Sequence, residues 1–254
     1  MENKRTIAII LARMGSSRLP GKSLMKINGI PLLKRVYDRA KICKNVDKAI
    51  VATSDKEKDN SLAEYCIENG IPVFRGDEND VLKRFYDCAL EEHEKNTLRA
   101  VVRVTGDAPF VDPELTDKMI DELIEKNYDY IHNRHLNGPP LGSHAEVISF
   151  DTLRKLNDGV LDLKEREHVT LHILKHENRN KFKIKLFDVP KNLRRQNYRL
   201  IADSEKDFVI ISKIFQDLGN NPSLKDVVSY LDNNKKLLEI NKDEILDFKE
   251  FLDK

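Results

Sequence analysis

The stretch from Ile7 to Leu33, IAIILARMGSSRLPGKSLMKINGIPLL, constrains this chain more than any other. Ile7 to Leu11 is an unbroken apolar run, the pattern of a strand buried on both faces of a parallel sheet. It feeds a loop holding Gly15, Ser16, Ser17, Pro20 and Gly21, with Arg13, Arg18 and Lys22 set among them. Small residues let the backbone approach a ligand closely and turn several N–H groups one way. Three cations so close repel one another unless something strongly anionic sits between them, and a polyphosphate is the natural candidate. The alternative is a solvated surface loop with scattered charges. The loop is not a P-loop. That motif has four residues between its glycines and a helix straight after the Lys; here five separate Gly15 from Gly21. Asn28-Gly29 then signals a turn, and a helical pattern begins only near Pro31.

After this loop, strands alternate with amphipathic segments. The spacing predicts helices over Pro31–Cys43, Lys58–Asn69 (closed by Gly70), Asp80–Lys95 (capped by Asp80) and Pro113–Lys126. Strands are expected at Lys48–Thr53, Ile71–Phe74 and Ala100–Thr105. This βαβα rhythm implies a three-layer α/β/α fold with a mostly parallel sheet. Beyond Tyr130 the rhythm loosens. Asn133–Gly142 is rich in breakers, Asp151–Leu156 and Glu165–His176 read as helices, and Phe182–Phe187 as an exposed strand. Tyr198–Ala202 reads as a returning strand, and Ser204 caps a helix through Leu218. From Asn221, two short helical patterns run to Leu252. The expected organisation is one domain over 1–220, a small insertion near 131–192 that shapes a pocket and a dimer contact, and a helical tail over 221–254.

A chain of 254 residues with a net charge of +1 has no broad electrostatic footprint for nucleic acid, so anion binding should be local. The apolar run near the amino terminus is too short for a signal peptide, and no later run approaches the roughly 18 apolar residues of a membrane span. Cys43, Cys66 and Cys88 form no CxxC pair and read as reduced thiols of a cytoplasmic protein.

Two carboxylates stand out. RVTGDAPFVDP puts Asp107 just past a strand's carboxyl end, the edge at which open α/β sheets bind ligands, and Gly106 beside it leaves room for a metal. Asp112, directly before Pro113, suits the helix cap better, which frees Asp107. A magnesium ion takes one or two carboxylates together with substrate phosphates, and Asp203 in YRLIADSEKDF is the candidate partner, though it would also suit a cap. Thr53 and Ser54, in the VATSD strand end, could contact a nucleoside.

The segment ARMGSSRLPGKSLMKINGIPLL resembles the signature loop of the CTP-dependent cytidylyltransferases that activate sugar acids. It is similar to the CMP-KDO synthetases and more so to the spore-coat SpsF-like branch. The resemblance implies a nucleotide-diphosphosugar-transferase-like fold, CTP as donor and Mg²⁺, with Arg13, Arg18 and Lys22 wrapping the triphosphate. It implies that Leu11, Ala12, Gly15, Ser16, Thr105 and Gly106 contribute to the nucleotide site, and that Asp107 and Asp203 hold the metal. FRGDENDVLKR resembles a further family segment, which assigns Arg75, Gly76, Asp80 and Arg84 to base and ribose; Asp80 and Arg84 could equally form an i,i+4 surface pair. LGSHAEV and REHVT match the SpsF-like branch and assign Gly142, Glu146, Arg166 and His168 to a small anionic acceptor, which could be a sugar acid or a phosphate or phosphonate. A homodimer is expected. The loop lacks the ending found in sialic-acid synthetases, which disfavours a nine-carbon acid. Two rivals remain: a metal-dependent glycosyltransferase, for which Gly106-Asp107-Ala108 offers one carboxylate of a DxD pair, and a non-catalytic nucleotide-binding protein.

Overall fold

The computed structural model describes residues 5–135 and 137–244. In chain order the first half comprises β1 (Arg5–Leu11), a hairpin of β2 (Lys26–Ile27) and β3 (Ile30–Pro31), α1 (Leu32–Lys41), β4 (Lys48–Ser54) and α2 (Asn60–Glu68). It continues with β5 (Val73–Gly76), α3 (Val81–Lys95), β6 (Leu98–Thr105) and α4 (Pro113–Lys126). The second half adds β7 (Tyr130–His132), β8 (Glu146–Ser149), α5 (Phe150–Gly159), α6 (Leu163–Glu167) and α7 (Leu171–Leu174). β9 (Ile184–Leu186), α8 (Glu205–Leu218) and α9 (Leu224–Asn233) complete it.

Among the described residues the main sheet has seven strands in the order β5-β4-β1-β6-β8-β7-β9. β5, β4, β1 and β6 are mutually parallel. β8 alone opposes its neighbours, and β9 pairs parallel with β7. β1 is apolar on both faces because both faces are covered. Ala8 and Ile10 join α1, α2, α4, α8 and α9 on one side, whereas Ile7 and Ile9 meet α3, α5 and α7 on the other. This is the expected three-layer α/β architecture. The chain steps from β1 outward through β4 to β5, then returns to the far side of β1 with β6. The order therefore reverses between β1 and β6, and a crevice opens outside the carboxyl ends of such a pair. Those ends are level, since Leu11 is in register with Thr105.

Local chemistry accounts for most boundaries. Asn28 and Gly29 both have positive φ, 48° and 79°, as a two-residue hairpin turn demands. A single 3-10 turn and this hairpin, rather than a helix, come after Gly21, so the P-loop reading fails in three dimensions also. Asp80 caps α3 by accepting from Lys83 N at 2.9 Å, and Asp112 caps α4 by accepting from Leu115 N at 2.8 Å. Caps of this kind contribute about 1 kcal/mol each. Ser204 and Asp207 form a reciprocal capping box on α8.

Four expectations need correction. The strand expected at Ile71–Phe74 starts later, at Val73, because Ile71 N is spent on Cys66 O in closing α2. The helix expected over Glu165–His176 is broken into α6 and α7 at Val169, whose φ of +56° no α-helix accommodates. Tyr198–Ala202 is not a strand of the main sheet. It runs extended against the Pro140–Gly142 loop, with Leu141 N donating to Tyr198 O at 2.9 Å and Leu200 N to Leu141 O at 2.7 Å. Gly142 permits that approach: a Cβ there would lie 2.3 Å from Leu200 O. Finally, β7 and β8 replace the loosened rhythm expected after Tyr130, and with β9 they extend the main sheet. Of the two helical patterns expected beyond Asn221, α9 buries Leu224, Val227, Val228 and Leu231 in the core that α8 shares. The second begins as a 3-10 turn at Lys235–Glu239, and residues 245–252 lie outside the described residues.

The three cysteines are buried. Burial pushes the Cys43 and Cys66 thiols up to about 12 and about 11, and raises Cys88 as well, so all three are inert thiols at neutral pH. Among the described residues no helix is long and apolar enough to cross a membrane.

Candidate active site

The loop after β1 is held shut by its own backbone. Met14 O accepts from Ser16 N at 3.0 Å and from Gly21 N at 2.9 Å, and the turn needs Gly21 at φ +76°. From outside, Asp59 fixes the loop's base by accepting from Met14 N at 2.6 Å. Ser54 in turn hydrogen-bonds the Asp59 carboxylate, and Ser23 Oγ donates to Arg13 O at 3.1 Å. Arg13, Ser16, Arg18 and Lys22 thereby line one pocket at the β1/β6 crevice, together with Leu11, Ala12, Arg84, Thr105, Gly106, Asp107 and Asp203. Gly106 is required by the closeness of the two strand ends. A Cβ there would stand 2.8 Å from Ala12 Cβ and 3.0 Å from Leu11 O.

At the floor of the pocket Lys22 Nζ donates to Asp107 Oδ2 at 2.8 Å and to Asp203 Oδ1 at 2.9 Å. The two aspartates are far apart in sequence, and the backbone brings them together, since Ala202 N donates to Asp107 O at 2.8 Å. Arg18 reaches Asp203 Oδ2 at 2.6 Å. Asp203 is braced from behind by Asp207, which accepts from Asp203 N at 3.1 Å and from Ser204 N at 3.0 Å. Asp207 is fully buried and forms a bidentate pair with Arg199, both contacts at 2.9 Å. Burial alone would lower the Lys22 pKa, but Asp107 and then Asp203 outweigh it and hold the ammonium above its ordinary value. Burial works to raise the Asp203 carboxyl, yet Lys22, Arg18 and Arg199 hold it below the usual range. Asp107 Oδ1 is buried with no hydrogen-bond partner among the described residues. An orphaned carboxylate oxygen beside a second carboxylate, opening on a cationic pocket, fits a small divalent ion shared with phosphates. Across the pocket, burial and secondly the Arg13 charge lower the Arg84 pKa.

A second cavity joins the first through Arg103, Thr105, Asp107 and His168, which border both. Gly142, Glu146, His132, Arg134 and His144 also line it. Glu146 uses both oxygens on its own wall: Oε1 accepts from Arg103 at 2.7 Å, and Oε2 from Tyr130 at 2.9 Å and Thr170 at 2.7 Å. Burial favours its neutral form, but Arg103, Thr170 and Tyr130 keep its pKa below the ordinary value. The Thr170 bond also explains Val169, since α6 must end where Thr170 turns in to reach Glu146.

Several expected site residues lie elsewhere. Arg166 does not line either pocket. Its guanidinium is spent on Asp80 Oδ2 at 2.8 Å, the Asn157 and Val160 carbonyls and Asn157 Oδ1. Asp80 is thus a helix cap and ion-pair partner away from the pocket, and its expected pairing with Arg84 is replaced by this one. Arg84 instead donates to the Asp77 and Glu78 carbonyls. Arg75 donates to the Ser54 and Lys56 carbonyls, and Gly76 packs against Arg84. Gly15, Thr53 and Ser54 do not line the pocket: Gly15 is exposed beside Lys58, and Thr53 and Ser54 are fully buried behind the lining. Sequence reasoning missed Asp59, Arg103, Arg199, His132 and His144. Asp59 and Arg103 act through partners distant in the chain, Met14 and Glu146, whereas Arg199 acts through Asp207 eight positions on, and no local motif marks any of them.

His132 and His144 make the fold sensitive to acid. Burial drives their pKa values down to about 4 and about 3, so both imidazoles are neutral in the folded chain. The unfolded chain, with histidines near 6.5, binds more protons below that pH, so stability falls as pH drops from about 6.5 toward 4. Each imidazole should cost about 1.5 kcal/mol between pH 6.5 and 5. Urea unfolding at those two pH values checks this, and His144→Gln should remove about half of the difference, His132 retaining the rest.

The crevice, the cationic loop and the paired carboxylates define a nucleotide-handling α/β enzyme, and the comparisons say which. The chain matches the family model for cytidylyltransferases over residues 7–246. It is 36% identical over 238 residues to an uncharacterized protein of Methanocaldococcus jannaschii, spanning 93% of this chain and 94% of that one. It is also 36% identical over 233 residues to the spore coat polysaccharide biosynthesis protein SpsF of Bacillus subtilis, covering 89% and 93% of the two chains. Among solved structures, a cytidylyltransferase from Leptospira borgpetersenii superposes with a TM-score of 0.84 at 28% identity, over 93% of this chain and 97% of that one. The chain belongs to the cytidylyltransferase family, a class of nucleotidyltransferases.

Proposed function

We propose that this enzyme transfers CMP from CTP to a hydroxyl of a small sugar acid, releasing pyrophosphate. The carrying observation is the Lys22 ammonium held between Asp107 and Asp203 at the junction of the two pockets. It supports a triphosphate on the loop side and an acceptor on the Glu146 side, meeting above Asp107.

In this reading the acceptor hydroxyl oxygen, its proton passing to solvent, attacks the α-phosphorus, and the bond from that phosphorus to the bridging oxygen of the leaving pyrophosphate breaks. Arg13, Arg18 and Lys22 hold the β- and γ-phosphates and neutralise the charge that accumulates there. Asp107 and Asp203 would hold Mg²⁺, which when bound offsets charge on the entering and leaving oxygens. Thr105 and Gly106 bring the backbone near the reacting phosphate. His168, which borders both pockets, steers the acceptor, while Glu146 orders the wall through Arg103, Tyr130 and Thr170. Most of the rate would come from positioning and fixed charge.

In the acceptor cavity Asp107 at the border is spent on Lys22, so the Arg103 and Arg134 guanidiniums face one further carboxylate, Glu146, with His132 and His144 neutral. A wall so modestly cationic suits a hydroxylated monoanion better than a dianionic phosphate. The name of the Bacillus subtilis relative supports a role in making polysaccharide precursors. The test is a pyrophosphate-release assay with CTP, Mg²⁺ and a panel of sugar acids, phosphorylated small acids and phosphonates. Turnover confined to sugar acids is expected. Turnover only with phosphates or phosphonates would overturn the acceptor class, and none with any member the proposal as a whole.

A further inference from the structure

We infer that Lys22 is a built-in counter-cation, whose ammonium keeps a divalent ion out of the Asp107/Asp203 pair until the nucleotide arrives. The inference rests on the reading of those aspartates as the metal-holding pair, and adds an order of loading to it. Nζ stands 2.8 Å from Asp107 Oδ2 and 2.9 Å from Asp203 Oδ1, bridging one oxygen of each carboxylate. With Arg18 on the remaining Asp203 oxygen, two negative charges face two positive ones. Arg199 adds no surplus, because Asp207 matches it. The nucleotide-free pair is therefore already neutral. A divalent ion entering alone would meet an ammonium and a guanidinium at contact distance and have only one buried, unengaged oxygen, Asp107 Oδ1, to gain. Among the described residues no third His, Cys, Asp or Glu completes a metal-binding cluster that could outbid them.

A triphosphate changes this balance. It offers Lys22 and Arg18 a stronger anion on the loop that carries them, and it brings oxygens that complete the ion's coordination. The loop backbone need not move, being pinned at Met14 by Asp59 and Gly21 and at Arg13 by Ser23. The exchange is a swing of the flexible Lys22 side chain from the carboxylates to the phosphates. The divalent ion and the nucleotide should accordingly bind with strong mutual cooperativity, while the ion alone binds weakly.

The test is Mn²⁺ binding, followed by electron paramagnetic resonance, to the nucleotide-free protein. Lys22→Met should bind Mn²⁺ at least tenfold more tightly than the parent and gain thermal stability from Mn²⁺ alone. The double variant Lys22→Met, Asp107→Asn should lose both effects. Lys22→Gln is a more polar replacement giving the same answer should Lys22→Met not fold. If neither single variant binds Mn²⁺ more tightly than the parent, while the parent with CTP takes up Mn²⁺ in a way Asp107→Asn abolishes, the counter-cation idea fails and the metal pair stands. If Asp107→Asn leaves CTP-dependent Mn²⁺ uptake unchanged, the metal pair itself is wrong, and the counter-cation idea falls with it.

Discussion

Asp107→Asn is expected to lower turnover about a thousandfold while leaving the fold intact. The side chain keeps its shape, and its one hydrogen bond lost in part is that from Lys22, which retains Asp203. The catalytic cost is larger than the structural one because Asp107 is half of the pair proposed to hold the metal. Removing one element of preorganised charge from an active site costs on the order of 10²–10³ in rate. Single-turnover kinetics with saturating CTP and acceptor separates this from weakened binding. A residual rate within tenfold of the parent would move the metal away from Asp107.

Asp207→Ala should be the most destabilising single change near the site, and should impair activity without touching any substrate. The carboxylate is fully buried and serves Arg199 through two bonds, the Asp203 and Ser204 backbone amides, and Asn241 Nδ2 at 2.9 Å. Truncation strands a buried guanidinium and opens the capping box of α8. Breaking a buried pair from one side costs about 3–5 kcal/mol, which for a chain of this size corresponds to a Tm drop on the order of 10 °C. Asp203 would lose its brace, and Arg199, already 3.8 Å from it, would be free to pair with it instead. Scanning calorimetry measures the first effect. Asp207→Asn, which keeps acceptor capacity toward the two amides, should recover part of both stability and turnover. A Tm within about 2 °C of the parent in Asp207→Ala would contradict this view of how Asp203 is held.

How much of the molecule is legible in its sequence depends on the range of the interactions. The strand–loop stretch Ile7–Leu33 is legible because its signals are local: an apolar run, small residues, an Asn-Gly turn. Local pattern marks Arg13, Arg18, Lys22 and Asp107, and the structure gathers them on one pocket. The meeting of Asp203 with Asp107 depends on one backbone bond between Ala202 and Asp107, which no window of sequence contains. The same limit explains the misreadings. Asp80 and Arg166 each look like binding residues alone, yet they satisfy each other across 86 positions. Glu165–His176 has helical periodicity throughout, but the Thr170–Glu146 bond turns the chain at Val169 and tertiary structure overrides propensity. β7 and β8 hold only three and four residues, too few for a period to register.

The central claim is that the carboxylates and cations at the β1/β6 crevice form one metal-and-triphosphate site. Isothermal titration of CTP into the parent enzyme and into Asp107→Asn, in Mg²⁺ and in chelator, tests it most directly. The expected result is tight binding to the parent in Mg²⁺, at least tenfold weaker binding in chelator, and an Asp107→Asn affinity that no longer responds to the ion. Parent binding that is indifferent to Mg²⁺, or absent in both buffers, would contradict it.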